Sequence, residues 1–391
     1  MFLNPPGLKS KNISLMYLSE FLVGLMFFAP IWALYVQQNL FTIQNVAIIL
    51  SIQAIAGVFF ELPTGAIGDL FGRRKTIVLG SFIFLLSTIA LYFAKNLPIF
   101  IIYAILSALG GALVNGTNSA LIYDTLKQEK KEKYYKKVNG TLQALWPLGA
   151  TIASIFGGYL AQRSLSLPIL ITLIPLSVSL ILLLFLKEPK YKKAKHNDVL
   201  LHVREAYAEI MNNRQILLLL CSVFLLYGFG ESIHNLKPIF FNFKAIPLEY
   251  FGYIFALMFG GASLGHYFSY EVSEKLKDKP ALIIAVFSFV LCLILATLTT
   301  GWISIGFLIL SSVPFGIRNP IISHLINEQV RSNKRATILS ANSLAQQLGI
   351  MACAPVIGYL ADIFDINTAF MLTSILMIPA IFLVLFVREK G

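Results

Sequence analysis

The chain reads as an all-α membrane protein: twelve transmembrane helices in two six-helix, pseudo-symmetric halves. Three observations predict this. Of 391 residues, 57% are hydrophobic and only 13% charged, with a mean hydropathy of +0.76. Soluble domains carry roughly 25% charged residues, so this chain has too little charge to wet its surface. Its apolar residues gather into twelve runs, each near the roughly 20 residues that cross a bilayer. Its basic residues collect on alternate loops. Lipid offers the backbone no hydrogen-bond partners, and strand alternation is absent, so each run is expected to be a helix.

The spans are expected near residues 14–36, 43–64, 76–94, 98–121, 138–161, 167–186, 215–241, 248–270, 280–299, 302–326, 336–360 and 366–387. The net charge of +12 invites a nucleic-acid partner, and its distribution removes that reading. With a cytoplasmic N-terminus, all but five of the 31 Lys and Arg fall on the cytoplasmic side. The exceptions are Lys95, Arg163, Lys237 and Lys244 on the outside loops and their flanks, and Arg318 within a span. The positive-inside rule produces such a split, with both termini cytoplasmic and membrane lipids as the partner of the basic excess. A multi-pass protein of a bacterial plasma (inner) membrane is the expected setting. Cys221, Cys292 and Cys353 all lie in apolar spans without CxxC spacing, so they read as buried small hydrophobes rather than metal or redox groups. No small-residue cleavage site follows the first span, which is expected to be retained.

Residues 1–186 form the first expected bundle and 215–391 the second. The polar stretch 187–214 between them holds Val199, Val203, Ala206 and Ile210 at helical spacing, consistent with an amphipathic surface helix. A weak internal repeat supports two related halves. Span five ends Ile155-Phe-Gly157-Gly158-Tyr-Leu-Ala161, and span eleven ends Val356-Ile-Gly358-Tyr-Leu-Ala361-Asp362.

Between spans two and three the chain reads Gly65-Ala-Ile-Gly-Asp69-Leu-Phe-Gly72-Arg73-Arg74-Lys75. Gly65 and Gly68 allow helices to approach closely, and Gly72 permits a tight turn. Asp69 can pair with a base or a helix N-terminus, and Arg73 offers a planar fork of donors. This G-x-x-x-D-x-x-G-R-R-K pattern after a second span resembles the signature loop of the major facilitator superfamily. Glu61-Leu-Pro63-Thr64, Ala120-Leu-Ile-Tyr-Asp124 and Arg335-Ala-Thr337 extend the likeness to bacterial multidrug and macrolide-efflux-like permeases. The resemblance implies parallel six-span repeats. It implies a cytoplasmic gate at Gly65, Asp69, Gly72 and Arg73, which Glu61 is placed to join, and a central cavity lined by spans one, four, seven and ten. Span four departs from many drug–proton antiporters in lacking an arginine, and Asn118 stands where related permeases favour an acid.

Charge near a bilayer centre costs at least about 2.5–3.5 kcal/mol, so deep ionisable residues are functional candidates. Glu20 lies in span one, Glu231 and His234 in span seven, and Arg318 in span ten, while span four supplies Asn115 and Asn118. Tyr227, Glu231, His234 and Asn235 share one helix face. Glu231, Glu20 and His234 are the candidate proton-exchanging groups. Arg318, Asn115, Asn118, Tyr227 and Asn235 are the candidate substrate contacts, with Arg318 either a counter-ion or an anchor for an anionic group. The alternative is a structural ion pair between Glu231 and Arg318. Phe27, Phe28, Trp32 and Trp146 read as packing residues.

No Walker loop, metal-ligand spacing or nucleophile elbow is present, so neither an enzyme, a metal nor a cofactor is expected. The sequence therefore predicts a monomeric secondary active transporter working by alternating access, with protons as the coupling ion and efflux of a small amphipathic compound. The alternatives are proton-coupled import of a small anionic metabolite and, from another class, a transporter-like receptor or lipid scramblase.

Overall fold

Residues 10–189, 213–329 and 335–387 are described by the computed structural model; the side chains of residues 61–70 and 335–340 lie outside that description. The chain folds into α1 (Lys11–Gly24), α2 (Trp32–Leu40), α3 (Ile43–Phe71), α4 (Arg73–Phe93), α5 (Leu97–Gln128), α6 (Tyr135–Ala161) and α7 (Leu167–Leu184). Then follow α8 (Arg214–Phe243), α9 (Phe251–Leu276), α10 (Asp278–Leu298), α11 (Gly301–Glu328), α12 (Arg335–Ile363), α13 (Ile366–Leu376) and α14 (Ile378–Leu385). No strand occurs among the described residues. The amphipathic helix expected between residues 187 and 214 falls almost wholly outside them.

Among the described residues, eleven spans are long and apolar enough to cross a membrane, counting α1 with α2 and α13 with α14 as one span each. The expected eighth span, α9, is a full-length helix whose apolar run is diluted by Gly260, Gly261, Ser263, Gly265 and His266. The architecture is the expected helical bundle fold.

The first span departs from the continuous helix expected over 14–36. Helix α1 stops at Gly24, a short 3₁₀ turn covers Ala29–Ile31, and α2 resumes at Trp32. Pro30 has no N–H to continue an α-helical ladder. Irregular backbone at membrane depth must find partners inside the protein. Here the Phe27 amide donates to Thr172 Oγ1 of α7 at 3.1 Å, and the Met26 amide donates to the Gly24 carbonyl at 2.7 Å. A gentler interruption at Met377, just before Pro379, divides α13 from α14.

Two compact units emerge. The first comprises residues 1–40, 52–195 and 248–253; the second comprises 41–51, 196–247 and 254–391. Each is held by helix pairs that cross at glycine. In the first, Gly24 of α1 and Gly149 of α6 face one another, and a Cβ on Gly149 would strike the Phe21 carbonyl and the Gly24 main chain. In the second, Gly228 of α8 and Gly349 of α12 repeat this contact, with the Phe224 carbonyl in the role of Phe21. Small residues bring backbones into direct van der Waals contact, the main source of helix affinity where lipid is as apolar as the side chains.

The repeat seen in sequence also has a physical counterpart at the ends of α6 and α12. In the second unit Asp362 caps α3, accepting from the amides of Ile43 at 2.8 Å and Gln44 at 2.9 Å. In the first unit Gln162 Nε2 donates to Glu249 Oε2 at 2.7 Å.

Candidate functional site

The signature segment begins on α3, which runs helically through Gly65 and Asp69 to Phe71. The side chains of Glu61 and Asp69 are outside the described set, so no contact is assigned to them. Gly72 takes φ 102°, a conformation L side chains rarely adopt, and α4 starts at the next residue. Its first amides are capped by a residue the sequence reading passed over. Glu188, just after α7, accepts from Arg73 N at 2.7 Å and Arg74 N at 2.9 Å. A carboxylate at a helix N-terminus satisfies orphan donors and opposes the helix dipole. Arg74 Nη2 donates to the Leu184 carbonyl at 2.6 Å. Arg73 Nε pairs with Asp124 Oδ2 of α5 at 2.7 Å, the two side chains being 13% and 12% exposed.

Within the first unit a cavity of about 530 Å³ brings together Glu20, Asn115 and Asn118 with Gln53, Gln143 and Trp146. Glu20 is the one carboxyl among its lining residues. Met26, in the break of the first span, also lines it, so the irregular backbone borders the same cavity as the acid. Gln53 Nε2 donates to Ser107 Oγ at 3.1 Å, and Asn118 Oδ1 is buried without a hydrogen-bond partner. Trp146, read from sequence as packing, contributes to the cavity wall.

The second unit holds a smaller cavity of about 170 Å³ lined by Glu231, His234 and Lys237 together with Phe259, Phe289 and Phe315. Sequence reasoning counted Lys237 with the outside loops and their flanks. It is instead 5% exposed inside α8, which continues to Phe243. Its Nζ lies 3.5 Å from His234 Nδ1. The His234 ring meets Phe255 edge-on at 5.7 Å between centroids. The expected span, 215–241, already ran past this lysine, which sits one helical turn beyond His234; counting it with the outer loops was inconsistent with that span.

Arg318 lies behind this cavity, fully buried. Its guanidinium carbon stands 4.6 Å from the Phe315 ring centroid, 4.8 Å from Tyr227 and 5.3 Å from Phe289. Nε donates to Asn319 Oδ1 at 3.2 Å and Nη1 to the Leu226 carbonyl at 3.4 Å. Nη2 has no hydrogen-bond partner. No ion pair within 4 Å joins Glu231 to Arg318 or Lys237 among the described residues. Of the expected α8 face, Glu231 and His234 reach the cavity. Tyr227 packs on Arg318, and Asn235 Nδ2 turns back to the Glu231 carbonyl at 2.8 Å.

A model described as Major Facilitator Superfamily covers residues 14–352 and again 245–391. The chain belongs to the Major Facilitator Superfamily. It is a multi-pass membrane transporter, a carrier and not an enzyme. It is 23% identical over 367 residues to the uncharacterized MFS-type transporter YxaM of Bacillus subtilis (strain 168), covering 90% of each chain. Its fold is similar to that of a point mutant of the nucleoside transporter NupG, with a TM-score of 0.85, 14% identity, and 97% and 100% of the two chains covered. The D-xylose-proton symporter is similar at TM-score 0.74 and 14% identity, covering 97% and 98%. At these identities the structural likenesses carry the fold alone.

Proposed function

We propose that this superfamily member is a monomeric secondary active transporter of the bacterial inner membrane, with both termini cytoplasmic, that exports a small amphipathic compound in exchange for protons by alternating access. The observation that carries the reading is that each unit holds an acid at an internal cavity: Glu20 beside Asn115 and Asn118 in one, Glu231 beside His234 in the other. A carboxyl at bilayer depth is costly to retain unless it is used. A carboxyl that lines a cavity with no contact ion pair is free to take and release protons. Glu231 is assigned the principal proton exchange and Glu20 the second. The larger cavity, with Trp146 and Tyr103 among its walls and a few amides, suits a molecule that is part apolar and part polar.

A second reading, proton-coupled import of a small anionic metabolite, is favoured by Lys237, a buried cation at the smaller cavity. Flux into proteoliposomes under an imposed pH gradient separates the two by its direction. Gradient-driven flux that falls at least about tenfold in Glu231→Gln supports the coupling assignment, a loss typical of removing a positioned proton-transfer group. Undiminished gradient-driven flux in both Glu231→Gln and Glu20→Gln rejects it. Movement of lipid or solute indifferent to the gradient supports the scramblase class instead.

A further inference from the structure

Helix α10 begins at Asp278, immediately after Lys277, whose φ of 66° turns the chain sharply out of α9. That turn sets the Asp278 carboxylate against the last turns of α11. His324 Nδ1 lies 2.9 Å from Asp278 Oδ2, and His324 Nε2 lies 4.0 Å from Glu328 Oε1, one turn further along the same helix. One ligand atom from each of the three residues falls within 4.8 Å of the other two. The group borders a cavity of about 610 Å³ that also takes in Tyr270, Glu274 and Lys277.

We propose that Asp278, His324 and Glu328 form a binding site for a divalent transition-metal ion of the zinc class. Residues four apart on a helix present their side chains on one face, the spacing by which helices offer paired ligands. An imidazole nitrogen with two carboxylate oxygens is a borderline donor set. It suits Zn²⁺ or a similar ion better than Mg²⁺ or Ca²⁺, which prefer oxygen alone, and the absence of thiolate disfavours Cu(I). Tetrahedral bonds of about 2.0–2.2 Å put ligand atoms roughly 3.3 Å apart. His324 is 58% exposed and the two acids 21% and 30%, so small side-chain rotations close the difference. Two carboxylates balance the ion's charge. The neighbouring cavity holds a further acid, Glu274, which accepts from the Tyr270 hydroxyl at 3.3 Å. Lys277 is the cation in that cavity, while Lys279 is turned away to the Leu385 carbonyl at 2.6 Å.

The corresponding place in the first unit explains what such an ion does. There Arg73, the first residue of α4, pairs with Asp124 near the end of α5. Here the first residue of α10 is the acid and the residue near the end of α11 is the histidine. A bound metal ties α10 to α11 as the arginine ties α4 to α5, on the face expected to be cytoplasmic. The proposal does not depend on the direction or substrate of transport.

The test uses the full-length protein in detergent, stripped with a chelator and titrated with Zn²⁺ against a chromophoric competitor. The expected result is one ion per chain, a raised melting temperature, and a tetrahedral visible spectrum when Co²⁺ replaces Zn²⁺. Losing even an outer-shell partner weakens a site about 10–100-fold, so His324→Ala and Glu328→Gln are each expected to lose at least that much affinity. Both variants are to elute as the native protein on gel filtration, which separates loss of the site from loss of the fold. Zn²⁺ binding that persists undiminished in His324→Ala, held by another of the five histidines, overturns the proposal. So does a melting temperature that answers to pH but not to Zn²⁺.

Discussion

Arg73 Nε stands 2.7 Å from Asp124 Oδ2, which fastens the first turn of α4 to the final turns of α5. With each side chain only about one-eighth exposed, breaking one partner leaves a largely desolvated charge behind. Arg73→Ala or Asp124→Asn is expected to destabilise by about 3 kcal/mol, the lower end for a buried pair. Arg73→Lys keeps the charge but not the Nε donor that makes the contact, so it is expected to recover only part of the loss. Thermal unfolding in detergent measures this, and a double variant no worse than either single would verify that the two act as one unit.

Glu188 and Asp362 perform the same task at different places, each holding two helix-terminal amides. Alanine at either position removes both acceptors and is expected to lose about 1–2 kcal/mol, as N-cap deletions do. Glu188→Gln and Asp362→Asn keep one oxygen and lose less. Hydrogen exchange at Arg73 and Arg74, or at Ile43 and Gln44, reports the effect at the right amides. Unchanged protection in the alanine variants would mean that water serves these amides as well.

Arg318 makes a direct prediction about role. Three aromatic rings surround it and it is fully buried, so its substitution acts on the packing of the second unit. Cation–π contacts reach about 2 kcal/mol when desolvated, and Arg318→Lys, which loses the planar stacking surface, is expected to lower thermal stability while leaving substrate KM unchanged. A selective rise in KM without loss of stability would return Arg318 to the substrate.

The glycines divide sharply. Valine at Gly149 or Gly349 forces apart α1 and α6, or α8 and α12, and is expected to abolish folded yield. Alanine at Gly140 or Gly306 meets nothing within 4 Å and is expected to gain about 0.5–1 kcal/mol of helix stability. Expression with gel-filtration profiles across the four variants decides it, and equal behaviour of both sets would refute the crossing assignment.

The helical bundle was legible because hydropathy and backbone satisfaction leave few alternatives in lipid. The family was legible because Gly65 to Lys75 combines residue types that ordinary loops do not. What escaped was set by three-dimensional partners. Lys237 was counted with the outer loops and their flanks on its charge alone, although the expected span 215–241 already enclosed it. Glu188 lies at the start of the polar stretch 187–214, and nothing local shows that it meets the start of α4. Pro30 carries the local signal for a break in the first span, but the groups that sustain that break, Thr172 and Gly157, are far away in sequence. Arg318 was visible as a deep charge, while its aromatic enclosure depended on Phe289 and Tyr227 from other helices.

The interrupted first span bears on how the chain is made. Helix α1 has 14 residues, so it rises only about 21 Å, too little to cross a hydrocarbon layer about 30 Å thick unaided. The main-chain donor at Phe27 finds its partner on α7, a segment the ribosome delivers more than a hundred residues later. Until then that amide lacks the partner it has in the folded protein, so the opening segment is expected to settle into its final form only after α7 has been inserted.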